Sequence, residues 1–489
     1  MLLLAFAAAP VSAQTLSLDS CRAMALRNNK SLGIARLKQD MAAYTAKAAK
    51  TKYLPKVSVV GGYEFTSREI SLLNNSQKSS LVNVGTTAST QLGKEVGSVI
   101  TDLAQNGILT QEQAHNLGGL FNKVGASMGD ALNHSGQRIV DAFDTDTRNI
   151  FMVSAMVTQP IYMGGAIVAA NKMAQINQQL TANDAEATAQ NTLFNIDQTY
   201  WTVVSLNHKK RLAVSYLALL KKLDGDVGKM IKQGVATKAD GLKVAVKVNE
   251  AEMSLTQAEN GLSLAKMLLC QLCGLPIDSK VTLLDENKEN ISSAGETASG
   301  LTSETAKENR PELKMLQNAV DLSRQSTNLV RSAYLPQVAL TGGYMMTNPN
   351  IYDGFQNKFA GVWNVGVMVR IPVWSWFEGN YKVRASKIAT SIASLEYNDA
   401  AEKIELQVNQ SSFKIKEANR RLAMATKNVE NAEENLRCAN LGFKEGVMQS
   451  TDVMEAQTAW LQAQSQKIDA EIDVKMSLLN LKKSVGVLH

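Results

Sequence analysis

The chain has 489 residues, and its 51 Lys and Arg outnumber its 45 Asp and Glu, giving a formal net charge of +6. The basic residues are spread along the chain, which argues against a nucleic-acid surface because such a surface needs them clustered. Only 6% of the residues are aromatic and eight are Pro, a composition that favours long helices. The sequence contains no catalytic constellation or phosphate loop, so it predicts neither an enzyme nor a cofactor.

The chain begins with a predicted export signal. An apolar run from Met1 is followed by Val11-Ser12-Ala13, a small-x-small site that predicts cleavage before Gln14, so residues 1–13 are assigned to a signal peptide. No basic residue precedes the apolar run, which leaves open a start further upstream. Beyond residue 13 no segment approaches the roughly 18 uncharged apolar residues of a membrane helix, so any membrane embedding would use strands.

Cys270 and Cys273 have the spacing of many redox and metal motifs. No second cysteine pair or nearby His completes a metal site, and the strand context of a thioredoxin-like motif is missing. We therefore interpret both cysteines as small packing residues near a helix end, with a redox or metal role as the alternative.

The chain repeats one motif almost letter for letter. Tyr53–Tyr63 reads YLPKVSVVGGY, and 281 positions later Tyr334–Tyr344 reads YLPQVALTGGY. In each copy a Pro ends a helical pattern and alternating apolar residues follow, so a helix stops and a strand starts. A second offset of 212 residues relates Pro160 to Pro372, Gly234 to Gly446, and Gly274 to Gly486. The chain therefore divides into repeat 1 (14–285) and repeat 2 (286–489), with a linker over 275–300.

Each repeat carries two predicted strands, at about 56–65 and 151–160 in repeat 1 and at about 337–346 and 362–373 in repeat 2. Each has one apolar face and one mixed face, a pattern that fits the wall of an outer-membrane barrel, with a soluble sandwich as the alternative. Four strands cannot close a barrel, so other subunits must meet the edges.

Residues 66–150 form an insertion that repeat 2 lacks, and we expect it on the outer face of the membrane. It opens with the Ser/Asn/Thr-rich segment Ser71–Thr90 and then turns helical, with a capping box at Thr110–Gln113. A disordered loop remains the alternative for its first twenty residues.

Two very long helices are predicted, at about 165–231 and 379–443, each about 100 Å long. The second carries a heptad seam with small residues at alternate steps, which predicts close, supercoiled packing against a neighbouring helix. Shorter helices, Ser17–Lys52 and Lys238–Cys273, together match one long helix and could stack end to end beside it. Thr302–Ala333 is the repeat 2 counterpart of the first.

These doubled and ordered motifs resemble the TolC family of outer-membrane efflux and secretion channels over nearly the whole mature chain. The resemblance implies a fold that is mainly α with membrane β, built from two structural repeats. It also implies a homotrimer in which a 12-stranded β-barrel in the outer membrane of a Gram-negative bacterium continues as a 12-helix α-barrel across the periplasm. The implied partners are a periplasmic adaptor (membrane fusion protein), an inner-membrane pump and outer-membrane lipid.

By the same resemblance, the adaptor docks at the helical tip turns, which places docking at Gly234, Val235, Gly446 and Val447. The family narrows its periplasmic mouth with acidic rings, and the matching residues are Asp452, Glu455 and, in repeat 1, Asp240. The alternative for Asp452, and for Asp240 even more so, is a helix N-terminal charge that favours the helix dipole.

One departure from the family concerns the gate. Some relatives latch the mouth with an Arg and a Tyr, and this sequence has Met448 and Phe443 in their places. We therefore expect packing to hold the closed state. The predicted function is a passive exit duct of a tripartite multidrug efflux pump, with a type I secretion channel or a structural coiled-coil scaffold of the envelope as alternatives. The cargo and the pump family are left open.

Overall fold

The computed structural model describes residues 14–68, 73–144, 146–291, 300–353 and 356–488. The predicted signal peptide, residues 1–13, lies outside them. The chain forms two compact units, a helical unit (the chain up to Lys50, Ala166–Ala333 and Ser375–His489) and a sheet unit (Thr51–Gly165 and Tyr334–Trp374). The chain is mainly helical, as predicted.

The elements follow one another in an order that repeats. In chain order they are β1 (Gln14–Leu16), α1 (Leu18–Asn28), α2 (Lys30–Lys50), β2 (Lys56–Phe65), α3 (Asn75–Val82), α4 (Val84–Gln105), α5 (Gln111–Ala142), β3 (Asn149–Met163), α6 (Ala166–Lys232), α7 (Lys238–Cys273), β4 (Val281–Leu283), α8 (Ser303–Asn309), α9 (Pro311–Ser332), β5 (Gln337–Asn348), β6 (Ala360–Arg370), α10 (Glu378–Lys444) and α11 (Ser450–Val485).

The two longest helices, α6 and α10, have 67 residues each, where the sequence predicts 165–231 and 379–443. Except at Ala432, which is half-buried, the heptad seam of α10 is buried, as its spacing predicts: Ile404, Val408, Ser411, Ile415, Ala418, Leu422, Ala425, Val429, Leu436 and Ala439. Small residues at alternate steps of this seam let α11 pack closely against α10.

The helices of the helical unit lie in a defined order. Helix α6 packs against α2, α7, α9 and α11, while α10 packs against α9 and α11. Among the described helices, α2 and α7 therefore form one flank and α10 forms the other.

The two repeats share a junction at which a shorter helix meets the end of another. In repeat 1, Asn28 Nδ2 donates to the carbonyl of Cys273 at 3.2 Å, beside Gly274 in the left-handed conformation (φ +74°). In repeat 2, Arg310 Nη1 donates to the carbonyl of Lys483 at 3.1 Å, beside Gly486 (φ +78°). The predicted end-to-end stacking of short helices therefore occurs in both halves.

The predicted helix Ser17–Lys52 is broken at Asn29, and its counterpart at Arg310, again 281 residues later. Both residues adopt an extended backbone, with ψ of 124° and 116°. Arg310 precedes Pro311, which disfavours helical geometry in the preceding residue. At Asn29 the side chain accepts hydrogen bonds from the N–H groups of Ser31 and Leu32, so it caps α2 instead of continuing α1.

The segment predicted as a linker, 275–300, contains strand β4, which pairs in parallel with β1. The following residues are fixed to two helices. Tyr200 Oη of α6 donates to Asp285 at 2.6 Å, and the N–H of Ile291 donates to Glu471 of α11 at 3.2 Å. The described part of this segment is therefore held to the helical unit at several points.

The sheet unit contains one antiparallel sheet in the order β2-β3-β5-β6. Lys56 lies opposite Thr158, and Phe65 lies opposite Asn149. Pro160 was expected at a strand end, but β3 continues past it to Met163 through a register shift between Pro160 and Tyr162. Strand β6 ends at Arg370, ahead of Pro372, so the predicted strand over 362–373 is too long at its C-terminal end. Among the described strands, β2 and β6 each lack a second neighbour.

The insertion is helical almost from its start. Helix α3 begins at Asn75, where the Asn74 side chain and Gln77 form a capping box, and α4 follows at Val84. Over residues 75–90 the disordered alternative is therefore wrong. The capping box of Thr110 with Gln113 is present at the start of α5, as predicted.

Candidate functional site: the two helical tips

The first tip joins α6 to α7 and reverses the chain at a glycine. Gly234 has φ +79°, and the N–H groups of Gly234 and Val235 donate to the carbonyls of Ile231 and Met230, each at 3.0 Å. These bonds satisfy the free carbonyls at the end of α6 in a Schellman arrangement, which needs a left-handed residue and therefore favours Gly. Val235 is 66% exposed at the apex.

The second tip, between α10 and α11, has the same geometry. Gly446 has φ +75°, and its N–H donates to the carbonyl of Phe443 at 3.2 Å. The N–H of Val447 donates to the carbonyl of Gly442 at 2.8 Å, and the Val447 side chain is 81% exposed. The four residues predicted for docking thus form two matching turns with exposed apolar apices.

The acids predicted for the gate begin the helices that follow the tips. Asp240 accepts hydrogen bonds from the N–H and hydroxyl of Thr237, at 3.1 and 2.6 Å. These bonds, the hydroxyl bond first, lower the pKa of Asp240. Asp452 accepts from the N–H of Gln449 at 2.8 Å. Both acids therefore occupy the third position of a capping box. This is the helix N-terminal role that the sequence offered as the alternative to a gate.

The two tips differ in charge. Lys243 Nζ lies 3.7 Å from Asp240, and the residue at the matching position of the second tip, 212 residues later, is Glu455. Within the described residues neither Asp452 nor Glu455 forms an ion pair. Glu455 is exposed and Asp452 is half-buried. The second tip therefore carries two carboxylates, Asp452 and Glu455, one helical turn apart and without a nearby cation among the described residues. At the first tip the single carboxylate of Asp240 is paired with Lys243.

A hydrophobic cluster lies behind both tips. It includes Leu223 and Val227 of α6, Val244 of α7, and Val453 of α11, with Phe443 packed against it. Met448 lies over Gly442, where an added Cβ would meet the Met448 side chain at 2.9 Å. Phe443 and Met448 thus make packing contacts within one chain.

The described residues hold no group of three or more His, Cys, Asp or Glu that could bind a metal ion. Cys21, Cys270 and Cys273 are buried together at the repeat 1 junction. Burial raises the pKa of Cys270. This environment fits the packing role that the sequence suggested. None of the described helices is both long enough and apolar enough to cross a membrane.

Sequence reasoning missed two features that bear on this site. The exchange of Lys243 for Glu455 was visible as a difference between the halves at the offset of 212. The cover of Gly442 by Met448 had no sequence signal, because a helix-interior glycine does not reveal which side chain lies over it.

Comparison with known proteins adds relatives to this geometry. The family described as Outer membrane efflux protein matches residues 302–487. Outer membrane protein TolC of Vibrio cholerae is 23% identical over 312 residues, covering 62% of this chain and 69% of that protein. The alkaline protease secretion protein AprF of Pseudomonas aeruginosa is 24% identical over 269 residues, covering 53% of this chain and 54% of AprF.

The fold has solved counterparts. The Campylobacter jejuni CmeC outer membrane channel superposes with a TM-score of 0.72 at 14% identity, covering 96% of this chain and 85% of that one. The chain therefore has the same fold as that channel. The family match over residues 302–487 and the two sequence relatives make the chain similar to TolC-like outer-membrane factors. It is located in the Gram-negative outer membrane and extends into the periplasm.

Proposed function

We propose that three copies of this chain form one tube and act as the passive exit duct of a tripartite efflux pump. The proposal rests on one observation: both the sheet and the helical layer of a single copy end in elements that have no further neighbour among the described residues. The described sheet ends in β2 and β6 without further partners, and the described helices end in the flanks α2 and α10. An open sheet edge invites pairing with another chain, and three sheets of four strands give twelve, enough to close a barrel.

Exposed apolar stripes on the two flanks support the same closure. Helix α2 exposes Ile34, Leu37, Met41 and Tyr44, each more than half exposed, at steps of three, four and three. Helix α10 exposes Ile388, Ile392 and Leu395 at steps of four and three.

The two stripes match in height and spacing. Counted from the helix ends at Lys50 and Glu378, they lie about 9–24 Å and about 15–26 Å along the helices. Heptad spacing is what one helix needs to pack along another, so α2 of one copy and α10 of the next are suited to each other.

The tips supply the proposed docking and gating sites. Val235 and Val447 present apolar apices for a periplasmic adaptor, which connects the duct to an inner-membrane pump. Asp452 and Glu455 are proposed to converge around the axis of the trimer. Three carboxylates in a ring repel one another and attract cations, so the ring would contribute strain at the gate and cation selectivity.

Two measurements on the detergent-purified chain test the duct. Native mass spectrometry should give a trimer, and electron microscopy should show three-fold particles with a lumen that runs through the strand barrel and the helix barrel. A monomer would overturn the proposal. A three-fold rod without a lumen, with no conductance in a planar bilayer, would favour a structural scaffold.

The similarity to AprF, which is named as a protease secretion protein, favours type I protein secretion as a second candidate. The two candidates differ in cargo. If the chain serves an efflux pump, loss of the gene would raise the accumulation of small dyes inside the cell. If it serves a secretion system, loss of the gene would remove a polypeptide from the medium.

A further inference from the structure

The insertion between β2 and β3 is a helical hairpin whose two helices approach at glycines. A Cβ added to Gly85 of α4 would lie 1.9 Å from the carbonyl oxygen of Gly129 in α5. Beside this contact, Asn133 Oδ1 accepts from the N–H of Gly85 at 2.8 Å, and its Nδ2 donates to Thr86 at 2.7 Å. The hairpin therefore has a fixed internal packing in each copy.

One face of this hairpin is apolar and open. Leu92 and Val99 of α4 are 49% and 56% exposed. On α5, Leu120, Phe121, Val124 and Met128 are between 48% and 60% exposed. A groove of about 520 Å³ runs between the helices on this face and is lined by Leu92, Phe121, Val124 and Met128 with glycines among them. Contiguous exposed apolar side chains rimmed by polar residues are a common feature of interaction sites.

The spacing on this face suits helix packing. Leu92, Val96, Val99 and Leu103 follow steps of four, three and four, and so do Leu117, Phe121, Val124 and Met128. Lys123, Asp130 and Asp141 lie about half a turn away around α5, so its charged side is separate. Val96, Leu103 and Leu117 are half-buried against the other helix, while Leu92, Val99, Phe121, Val124 and Met128 stay exposed, so each seam keeps an open apolar side.

We propose that the occupant of this face is the same hairpin in the other copies, so that three hairpins pack together around the trimer axis. This rests on the proposed trimer. A twelve-stranded barrel with strands about 4.8 Å apart and tilted by about 40° has a radius of about 12 Å. Three hairpin roots on that rim lie about 21 Å apart, and a pair of packed helices is about 20 Å wide.

The hairpins must therefore stand within side-chain reach of one another. Each connects β3 to β2, the sheet edge that meets the next copy in the proposed closure, so the contact between hairpins would continue the contact between strands. Turning the apolar faces inward buries them and leaves the charged sides in water.

Cross-linking of the full chain tests this arrangement. In a Cys438→Ser background, which removes the exposed cysteine among the described residues, Val124→Cys is treated with a bismaleimide that spans about 10 Å, the distance between packed helices. We expect covalent dimers, two of three copies being linked. The matched control is Lys123→Cys, one residue away on the charged side, which should give none.

The outcomes separate this inference from the proposed function. The oligomeric state of each variant is first determined by native mass spectrometry. A trimer in which Val124→Cys fails to cross-link, or links no better than Lys123→Cys, overturns the hairpin contact alone. A monomer overturns the duct as well. Quenching of a fluorophore at Val124→Cys by spin-labelled lipid in nanodiscs would place this face on the membrane surface and also overturn the proposal.

Discussion

At the scale of single residues, one difference between the repeats decides where charge collects. Asp240 and Asp452 hold equivalent capping positions, yet Asp240 has Lys243 nearby and Asp452 has Glu455 one turn away. Because a cation screens the first acid, the field at the second tip should be the more negative. A gate built from carboxylates would therefore use repeat 2.

The first prediction concerns this acid. Asp452→Ala should raise single-channel conductance or weaken block by divalent cations in planar bilayers, because the substitution removes three charges from the proposed ring. Asp240→Ala is the matched control, since it removes the same kind of capping-box acid but should leave both properties unchanged. Equal behaviour of the two variants would remove Asp452 from the gate.

The second prediction concerns pH. Burial raises the pKa of Glu471, opposed by its hydrogen bond from Ile291 and by Lys467. A raised pKa in the folded protein means that the free energy of unfolding is highest below the unfolded pKa and falls as pH rises through the folded one. Glu471→Gln should therefore match the parent's Tm at about pH 4 and exceed it at about pH 7.5. If the Tm of Glu471→Gln at about pH 7.5 were lower than that of the parent, the prediction would be wrong.

The candidate site was only partly accessible from sequence. The turn residues Gly234 and Gly446 could be found because a left-handed helix end needs Gly, a local requirement. Outside the site, the environment of Glu471 could not be predicted, because the partner N–H of Ile291 is 180 positions away and a backbone donor carries no sequence signal.

At the scale of elements, the hairpin α4–α5 depends on close backbone contact. Gly85 and Gly129 let the helices approach further than any side chain would allow, while Gly97 has open space around it. The same residue type therefore has opposite consequences along one helix. At Gly85 it permits packing, and at Gly97 it lowers helix propensity without a compensating contact.

The third prediction follows from this contrast. Gly85→Ala should destabilise the hairpin by about 1–3 kcal/mol, as overpacking does. Gly97→Ala should stabilise it by up to about 1 kcal/mol through helix propensity. Hydrogen exchange of the amides of residues 84–142 measures both. Equal protection in the two variants would show that the helices do not depend on this contact.

Elements were predicted well where they depend on local periodicity. The seam of α10 follows from its heptad spacing, whereas the break at Asn29 did not, because an Asn is tolerated inside helices and here caps the next one. The pairing of β1 with β4 was missed for another reason. Its three-residue strands lie 267 positions apart, too short and too distant for a pattern to link them.

At the scale of the whole molecule, the flanks of the chain are the features that demand partners. Leu37 on α2 is 69% exposed, although residues of its type are normally covered. Strand β2 is exposed along its whole length. A single copy therefore leaves apolar surface open that association with further copies would cover.

The fourth prediction tests that association. Leu37→Glu should change the stability of a single copy by no more than about 0.5 kcal/mol, because the side chain is exposed there. It should nonetheless shift the proposed trimer toward monomers, since it would place a charge in the proposed apolar contact between copies. Gln39→Glu, which adds the same charge on another face of α2, is the control. Native mass spectrometry of both variants at matched detergent concentration measures the shift, and an intact Leu37→Glu trimer would exclude this contact.

The near-identity of the two tip turns has a consequence for whatever binds them. Because Gly234 and Gly446 form the same type of turn, three copies would present six nearly equivalent binding sites to a partner. A binding protein that recognises one tip turn could occupy all six in a hexagonal array, although the proposed duct has only threefold symmetry. Because Lys243 of the first tip is replaced by Glu455 in the second, the six sites would alternate in charge. Two neighbouring bound copies would then contact one tip whose acid is neutralised and one tip that is acidic.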